Sequence, residues 1–448
     1  MPGQIRPDGT ARTRSGSLTQ TIGSLALTGL VLNAVIGSSV FGLPSVVAGE
    51  LGAASPLAWL LAAVGMALIV GCFAEVASRF REAGGQYLYA RVAFGRLAGI
   101  EMAWLTYLVR LTAAATNANL FVIYLAEFWP GATGALQSRL VLAAVLLPLA
   151  IANYRGVGSG LNVSTTFTIA KLVPLGVFVV AGLGVLLTRG LPVPIHPSGA
   201  VALGTWLQVI LALVFAYGGF EAALLPLGEA KNPRRDAPIA LFAALGLCAL
   251  LYTLVQAVVV ATLENPGAAE RPLAAAARTF LGPGGAVLMA LGALVSVYGY
   301  LAGAMLNVPR LSYAMAEQGD LPPRFGAVHP RYRTPHVSVL LFATLTWALA
   351  SGGSFLQNLS LSAVSRLLTY GAVCVALIVL RRRERRQAGS VEPAWFRLPL
   401  GTTVAALGLA FSSVLILRMN QRELAVLAAT LIVGLLHFRM AHHKREAW

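Results

Sequence analysis

The stretch Ile36-Gly37-Ser38-Ser39-Val40-Phe41-Gly42 interrupts an apolar run that extends from about residue 22 to residue 47. Gly costs a helix about 0.8–1.0 kcal/mol relative to Ala, so two Gly and two Ser so close together predict that the helix unwinds here. Backbone groups freed inside a membrane need protein partners, because hydrocarbon supplies none. We therefore expect this stretch to line a cavity, and it is the first candidate binding site.

The composition is typical of a membrane protein. Of the 448 residues, 57% are hydrophobic and 11% are charged, whereas soluble proteins carry roughly 25% charged residues. Apolar runs long enough to cross a bilayer recur along the chain. Residues 1–21 are polar and contain no apolar signal-peptide core, so we expect the first span to remain in the mature protein. The sequence predicts an all-α, polytopic membrane protein.

Twelve transmembrane spans are predicted. They are residues 22–48, 55–77, 97–127, 139–152, 163–187, 204–228, 238–263, 285–309, 336–352, 359–380, 400–417 and 423–438. Of the 33 Lys and Arg residues, 24 fall on one set of alternate connecting segments, six on the other set and three within spans. The positive-inside rule makes the richer set cytoplasmic, which predicts a cytoplasmic-membrane protein with both termini inside. The net charge of +16 then indicates topology and contact with membrane lipids, and not nucleic-acid binding.

A second break is predicted in the sixth span, at Phe215-Ala216-Tyr217-Gly218-Gly219-Phe220-Glu221. A Gly pair and a carboxylate interrupt an apolar helix there, between aromatic residues. The first span runs outwards and the sixth runs inwards, so the two breaks occupy opposed halves of the chain. Gly-interrupted helices in corresponding positions of two inverted halves indicate the central site of a secondary transporter.

The third span carries a polar stripe that includes Thr106, Arg110 and Asn117, spaced to lie on one helical face. Arg110 near the middle of a span is costly unless it faces the bundle interior and finds a partner. Two interpretations stay open: a structural ion pair with a neighbouring carboxylate, or a role in gating or in recognising an anionic group.

Lys171 lies about 12 Å from the inner end of the fifth span, at 1.5 Å per residue. A buried Lys can exchange a proton near neutral pH, which favours a proton-linked role. The alternatives are snorkelling of its side chain to the interface or structural pairing.

The eighth span has a stripe that includes Ser296, Gly299 and Tyr300. This stripe indicates either an inward-facing polar surface or close helix packing through small residues. Arg366, in the outer half of the tenth span, is expected to reach the outer interface or a carboxylate, and no function is assigned to it.

The sequence contains none of the patterns expected of an enzyme. It has no His/Cys cluster with metal-ligand spacing, no Gly-rich phosphate loop after a strand and no nucleophile elbow. All three Cys fall within spans, so no disulfide framework is expected. We therefore expect no catalytic residues, no metal and no cofactor.

Several motifs in order resemble an amino acid permease of the amino acid–polyamine–organocation superfamily. They are Ile36–Pro44, the loop Phe80–Tyr89, Gly219–Glu221 with the following Gly228–Arg235, and Arg310–Pro322. The resemblance covers nearly the whole chain. It implies the LeuT-like fold, with two inverted five-helix repeats, broken helices 1 and 6 and two peripheral helices. The corresponding segments are residues 1–21 (tail), 22–187 (first repeat), 204–380 (second repeat), 400–438 (helices 11 and 12) and 439–448 (tail).

The resemblance also implies a substrate site between spans one and six. Backbone N–H groups of Gly37, Ser38 and Ser39 would hold a substrate carboxylate, which fits the positive end of a half-helix. Carbonyl groups near Val35, Phe215 and Gly218 would hold the ammonium. The remaining substrate-binding candidates are Asn117, Tyr217, Phe220 and Tyr300, with Phe215, Tyr217 and Phe220 expected to close over the substrate.

Four residues are expected to tune coupling and specificity. Lys171 aligns with a lysine that in some members occupies the place of a sodium ion, and Glu221 with a carboxylate linked to pH response. Ser39 replaces the usual third Gly of the first break and would restrict substrate size. Arg110 departs from the family pattern and would disfavour cationic substrates.

The expected function is alternating-access transport of amino acids across the cytoplasmic membrane, sodium-independent, as a proton symporter or an exchanger. The alternatives are an amine or polyamine antiporter and a membrane amino acid sensor that has lost flux. A sensor would need a sizeable cytosolic output domain, and the longest predicted cytoplasmic segment has only about 25 residues. The expected partners are a small amino acid, protons and membrane lipids.

Overall fold

A computed structural model describes residues 23–80, 85–156, 161–189, 201–224, 230–386 and 392–446. The described helices up to residue 223 are α1 Ser24–Val35, α2 Ser39–Leu51, α3 Ser55–Ala77, α4 Gly85–Phe94, α5 Arg96–Leu125, α6 Ala135–Tyr154, α7 Leu161–Arg189, α8 Leu203–Tyr217 and α9 Phe220–Ala223. The later ones are α10 Pro233–Thr262, α11 Pro272–Glu317, α12 His336–Gly352, α13 Phe355–Arg386, α14 Gly401–Ile416 and α15 Gln421–Glu446.

Each of the twelve segments predicted as spans contains helix in its described part. Within the described ranges, nine helical segments are long and apolar enough to cross a membrane. Three shorter apolar helices, α1, α12 and α14, coincide with the other predicted spans. The molecule is thus a polytopic helical membrane protein, as predicted; the count of twelve crossings and the inverted repeat stay predictions.

Both predicted helix breaks are present. α1 ends at Val35 and α2 begins at Ser39, with Ile36 in an extended conformation between them. α8 ends at Tyr217, and Gly219 has a φ of +109° before α9 begins, a conformation that only Gly adopts without strain. Local sequence therefore set the position of both interruptions.

The two broken helices touch each other at their breaks. A Cβ atom placed on Gly219 would lie 2.3 Å from the carbonyl oxygen of Ala34, on the last turn of α1. Gly219 thus allows two backbones to approach at a distance that no side chain permits. This contact brings the two candidate sites into one place.

Several helices extend further than the hydropathy pattern predicted. α11 includes residues 310–317, which were expected to form a loop, and it has a kink at Gly282, whose φ is +68°. α13 continues through the arginine-rich residues 381–386, and α4 forms where a loop was expected. Hydropathy marks only the apolar part of a helix, whereas Arg and Glu are good helix formers that extend it into water.

The centre of the bundle is formed by α5 and α13, which pack against each other more extensively than any other pair of described helices. α5 also packs against α11, so Arg110, Tyr300 and Arg366 project from three neighbouring helices. α15 lies at the periphery and leaves apolar residues such as Ile432 and Leu436 exposed.

Candidate functional site

The first break is held by an amide from the third predicted span. The Ser38 N–H donates to Asn117 Oδ1 over 3.0 Å, while Asn117 Nδ2 donates to the Ala113 carbonyl over 2.8 Å. The second bond fixes the amide so that its oxygen faces the break. Asn117 therefore satisfies one of the N–H groups at the start of α2 that have no partner within the helix. The buried Ser38 Oγ has no hydrogen-bond partner among the described residues.

Tyr300 lies on the other side of the same break. A Cβ atom on Gly37 would be 3.0 Å from Asn117 Oδ1 and 3.6 Å from the Tyr300 ring. Ser296, one turn earlier on α11, contacts the Gly37 carbonyl oxygen over 3.4 Å. The polar stripes of the third and eighth spans thus face Gly37 from two directions.

Lys171 is completely buried and ends at the first break. Its ammonium donates to the carbonyl oxygens of Ile36 and Asn33 over 2.8 and 3.1 Å. The ammonium lies on backbone oxygens at the end of α1, so it does not snorkel to the interface here.

Glu221 lies in the first turn of α9 and has partners on both of its oxygens. Oε2 accepts from the Gly219 N–H over 2.9 Å and from the Tyr370 hydroxyl over 3.0 Å. Oε1 accepts from Arg366 Nη1 over 3.0 Å and lies 3.5 Å from Arg110 Nη2. The carboxylate therefore links the second break to α5 and α13.

Arg366 was not predicted to belong to the site. It is buried, and its guanidinium lies over the Phe215 ring, 5.6 Å from the ring centroid. A Cβ atom on Gly218 would fall 2.0 Å from Arg366 Nη1, so the Gly pair makes room for this side chain. Of the two destinations expected for Arg366, the carboxylate is the one that it reaches. The signal in the sequence was a single Arg within one apolar span and a single mid-span Glu in another, 145 residues away.

Arg110 forms an ion pair with Glu221. A structural ion pair was one of the two roles that the sequence left open for Arg110. Besides Glu221, its guanidinium lies beside the phenol of Tyr300. A role beyond the ion pair stays a prediction.

The three aromatics expected to cover the substrate point in different directions. Phe215 faces Arg366. The Tyr217 hydroxyl donates to the Trp59 carbonyl over 2.9 Å, and Phe220 stacks on Tyr370 at 5.4 Å. Of the three, only Phe215 has its ring against the buried guanidinium in this conformation.

Ser39 and Val35 face α10. The Tyr252 hydroxyl lies 3.4 Å from the Val35 carbonyl oxygen and beside the Ser39 hydroxyl. Tyr252 also packs against Trp59, with ring centroids 5.1 Å apart. Ser39 thus belongs to a different side of the break from Asn117, and its effect on substrate size stays a prediction.

A second polar network lies outside the helical spans, between α4 and the end of α11. Tyr87 donates to Asp320, which also pairs with Arg91 and with Arg96, the latter over 3.2 Å. Asp320 is fully buried. Burial, together with the neighbouring Asp320 carboxylate, raises the pKa of Tyr87 to about 12, so the phenol keeps its proton at physiological pH.

The arrangement suits the binding of a small polar molecule. In the described part of the chain, no group of His, Cys, Asp or Glu side chains could hold a metal ion. What converges instead is a pair of helix ends with backbone donors and acceptors, three cationic side chains and one carboxylate. A polytopic helical protein with two broken helices meeting around such groups has the architecture of a membrane transporter.

The chain belongs to the amino acid permease family, whose model matches residues 22–436. Proteins of this family are membrane transporters and not enzymes. Similar proteins include the methylthioribose transporter of Bacillus subtilis (strain 168), 27% identical over 87% of this chain and 86% of the relative. The serine/threonine exchanger SteT of the same organism is 28% identical over 83% of this chain and 86% of its own length.

A plant protein is also similar. The vacuolar cationic amino acid transporter 4 of Arabidopsis thaliana is 28% identical, over 81% of this chain and 64% of the plant protein. The three names specify different substrates, so family membership supports transport without deciding what is carried.

Proposed function

We propose that this protein carries amino acids across the cytoplasmic membrane by alternating access, without sodium, as a proton symporter or an exchanger. The observation that carries the proposal is the bond between the Ser38 N–H and Asn117 Oδ1. The Asn117 oxygen lies where a substrate carboxylate oxygen would lie. That carboxylate would accept a hydrogen bond from the same Ser38 N–H, at the positive end of α2.

The carboxylate end of the substrate is assigned to Gly37, Ser38 and Ser39. The amide of Asn117 yields its position when substrate binds, and the unpartnered Ser38 hydroxyl supplies a further donor. A charge-assisted bond to a carboxylate is stronger than the neutral bond to the amide that it replaces, so the exchange is favourable. The ammonium is assigned to carbonyl groups near Val35, Phe215 and Gly218.

Proton coupling is assigned to Lys171. Its ammonium donates hydrogen bonds to two carbonyl oxygens at the end of α1. Carbonyl oxygens are also the ligands that a sodium ion would bind. Loss of the proton removes the charge that binds these oxygens and releases the end of α1. Glu221 has cationic partners from two helices that stabilise its charged form, which favours Lys171 over Glu221 as the group that exchanges a proton.

The same proposal includes the inverted organisation. Residues 22–187 and 204–380 form the two repeats, residues 400–438 are peripheral, and both termini are cytoplasmic. The contact between Gly219 and Ala34 supports this arrangement, because corresponding broken helices of two inverted repeats meet at the central site.

The test is transport by purified protein in liposomes. Amino acids that raise its melting temperature are offered as radiolabelled substrates in sodium-free buffer, with the same unlabelled amino acid inside. We expect counterflow for the stabilising amino acids. Stabilisation without counterflow would indicate a sensor, and binding that survives amidation of the substrate carboxyl would indicate an amine antiporter.

Two variants of α5 provide a matched comparison. Asn117→Ala should strengthen binding of the substrate carboxylate, because it removes the amide oxygen that competes for the Ser38 N–H. Asn119→Ala removes a similar amide two residues away, which instead bonds the Ala350 carbonyl over 2.8 Å. We expect Asn119→Ala to retain the substrate affinity of the wild type.

A further inference from the structure

The central site contains more positive than negative charge. Arg110, Lys171 and Arg366 are buried there, and among the residues that the structure describes Glu221 is the one carboxylate that pairs with any of them. Arg stays protonated in proteins, so two guanidinium groups share a single carboxylate whatever the state of Lys171. The site therefore has an excess of at least one positive charge.

Other buried carboxylates do not compensate for this excess. Glu75 pairs with Arg79 and Arg381 at the far end of α3, and Asp320 is engaged in the α4–α11 network. The rest accept bonds at helix starts: Asp236 from the Asn232 N–H and Glu423 from the Asn420 N–H. Each of these groups is committed to partners outside the central site.

Both carboxylate oxygens of Glu221 already have two partners each. Oε1 lies against both guanidinium groups, and Oε2 accepts hydrogen bonds from the Gly219 N–H and the Tyr370 hydroxyl. The buried Arg366 Nε has no hydrogen-bond partner among the described residues. A buried charge is costly unless it is paired and hydrogen-bonded, so an anion bound beside Arg110 and Arg366 would stabilise the site.

The excess charge lies within reach of the first break. Arg110 and Asn117 are seven residues apart on α5, about 10.5 Å along one helical face. Only the methyl side chains of Ala113 and Ala114 lie between them on that face. Tyr300 contacts the surroundings of Gly37 with its ring and faces Arg110 with its phenol.

We propose that the substrate is an amino acid with net negative charge, whose second acidic group is neutralised by Arg110 and Arg366 while its α-carboxylate binds at Ser38. This inference rests on the proposed function and names its substrate class. A zwitterionic amino acid leaves the excess charge of the site in place, and a cationic one increases it. A dicarboxylic amino acid brings the net charge of the site closest to zero.

The experiment compares isosteric pairs in the purified wild-type protein: glutamate with glutamine, and aspartate with asparagine. We expect the acids to bind about tenfold or more tightly than their amides, as a charge-assisted bond predicts, and to be taken up into liposomes. Equal or tighter binding of the amides would overturn the charge assignment while leaving amino acid transport intact. Binding and uptake of no amino acid would overturn the proposed function as well.

Chloride is included as a separate ligand. If chloride stabilises the protein as much as the acidic amino acids do, and these are not taken up, the guanidinium groups bind an inorganic anion and the proposal is wrong.

Three variants isolate the contribution of charge. Arg110→Gln should reduce the preference for acid over amide about tenfold, because it removes the positive charge in excess of the Arg366–Glu221 pair. Arg110→Lys should restore most of the preference, since it keeps the charge. Arg139→Gln alters an exposed Arg of α6 and should leave the preference unchanged. A preference that persists in Arg110→Gln would contradict the assignment.

Discussion

The ammonium of Lys171 donates to the carbonyl oxygen of Ile36 over 2.8 Å, at the residue that directly follows α1. The last carbonyl groups of a helix have no partner within it, so this side chain from α7 completes the end of a broken helix. Under the proposed mechanism, the protonation of Lys171 is linked to the position of the end of α1.

We predict that Lys171→Ala abolishes the response of uptake to an imposed pH gradient and leaves substrate binding partly intact. The reason is that Ala can neither carry the proton nor bind the Ile36 and Asn33 carbonyl groups. Uptake into liposomes with and without a pH gradient measures the effect. Lys231→Ala, which removes an exposed lysine, is the control. If uptake by Lys171→Ala still follows the gradient, Lys171 is not the coupling residue.

Gly219→Ala should destabilise the protein and abolish transport. An Ala there would need a positive φ, which costs about 1–3 kcal/mol, and its Cβ would meet the Ala34 carbonyl at 2.3 Å. Gly246→Ala is the matched control, because Gly246 lies within α10 with no atom near its would-be Cβ. It should be neutral or slightly stabilising. Melting temperatures of the two variants in detergent test the contrast, and equal values would refute the close approach of the broken helices.

Glu221→Gln should be strongly destabilising, by about 3–5 kcal/mol, because it leaves two buried guanidinium groups without a counter-charge. Tyr370→Phe removes one hydrogen bond to the same carboxylate and should cost about 1 kcal/mol. Adding Arg366→Gln to Glu221→Gln should recover part of the loss, since fewer charges are then buried unpaired. Thermal unfolding of the three variants checks the order, and a double variant no more stable than Glu221→Gln would argue against the cluster.

The Tyr87 hydrogen bond to Asp320 should be insensitive to pH across the physiological range. The pKa of Tyr87 is raised to about 12, above the ordinary value of about 10. Its contribution to stability is therefore complete below about pH 10 and is lost as the pH rises through the raised value. The difference in melting temperature between wild type and Tyr87→Phe should be constant from about pH 6 to pH 9 and shrink above pH 10. If the difference in melting temperature shrinks already near pH 7, the pKa of Tyr87 is not raised.

Much of the site was predictable from local sequence. Gly pairs and Ser residues in apolar runs located both breaks, and the isolated Arg110, Lys171 and Glu221 were recognisable because charge within a span is costly. The helix ends were less predictable. Residues 310–317 and 381–386 were expected outside helices and extend α11 and α13, because hydropathy does not register a helix that continues into water.

The directions of side chains could not be obtained in this way. Tyr217 and Phe220 adjoin the second break and were expected to cover the substrate. They instead pack on Trp59 and Tyr370, because the rotation of α8 and α9 is set by their neighbours. Residues adjacent in sequence on an unwound segment need not share a face.

The sequence by itself determined that this is a polytopic helical membrane protein of the amino acid permease family, with breaks at Gly37 and Gly219. Composition and backbone propensity are local properties, so they can be read without knowing which helices are neighbours. Only the tertiary structure decided that Arg366, 145 residues from Glu221, shares that carboxylate with Arg110, and that Lys171 ends on Ile36. Such pairings depend on which helices pack together, and that choice reflects interactions across the whole bundle that no single stretch encodes.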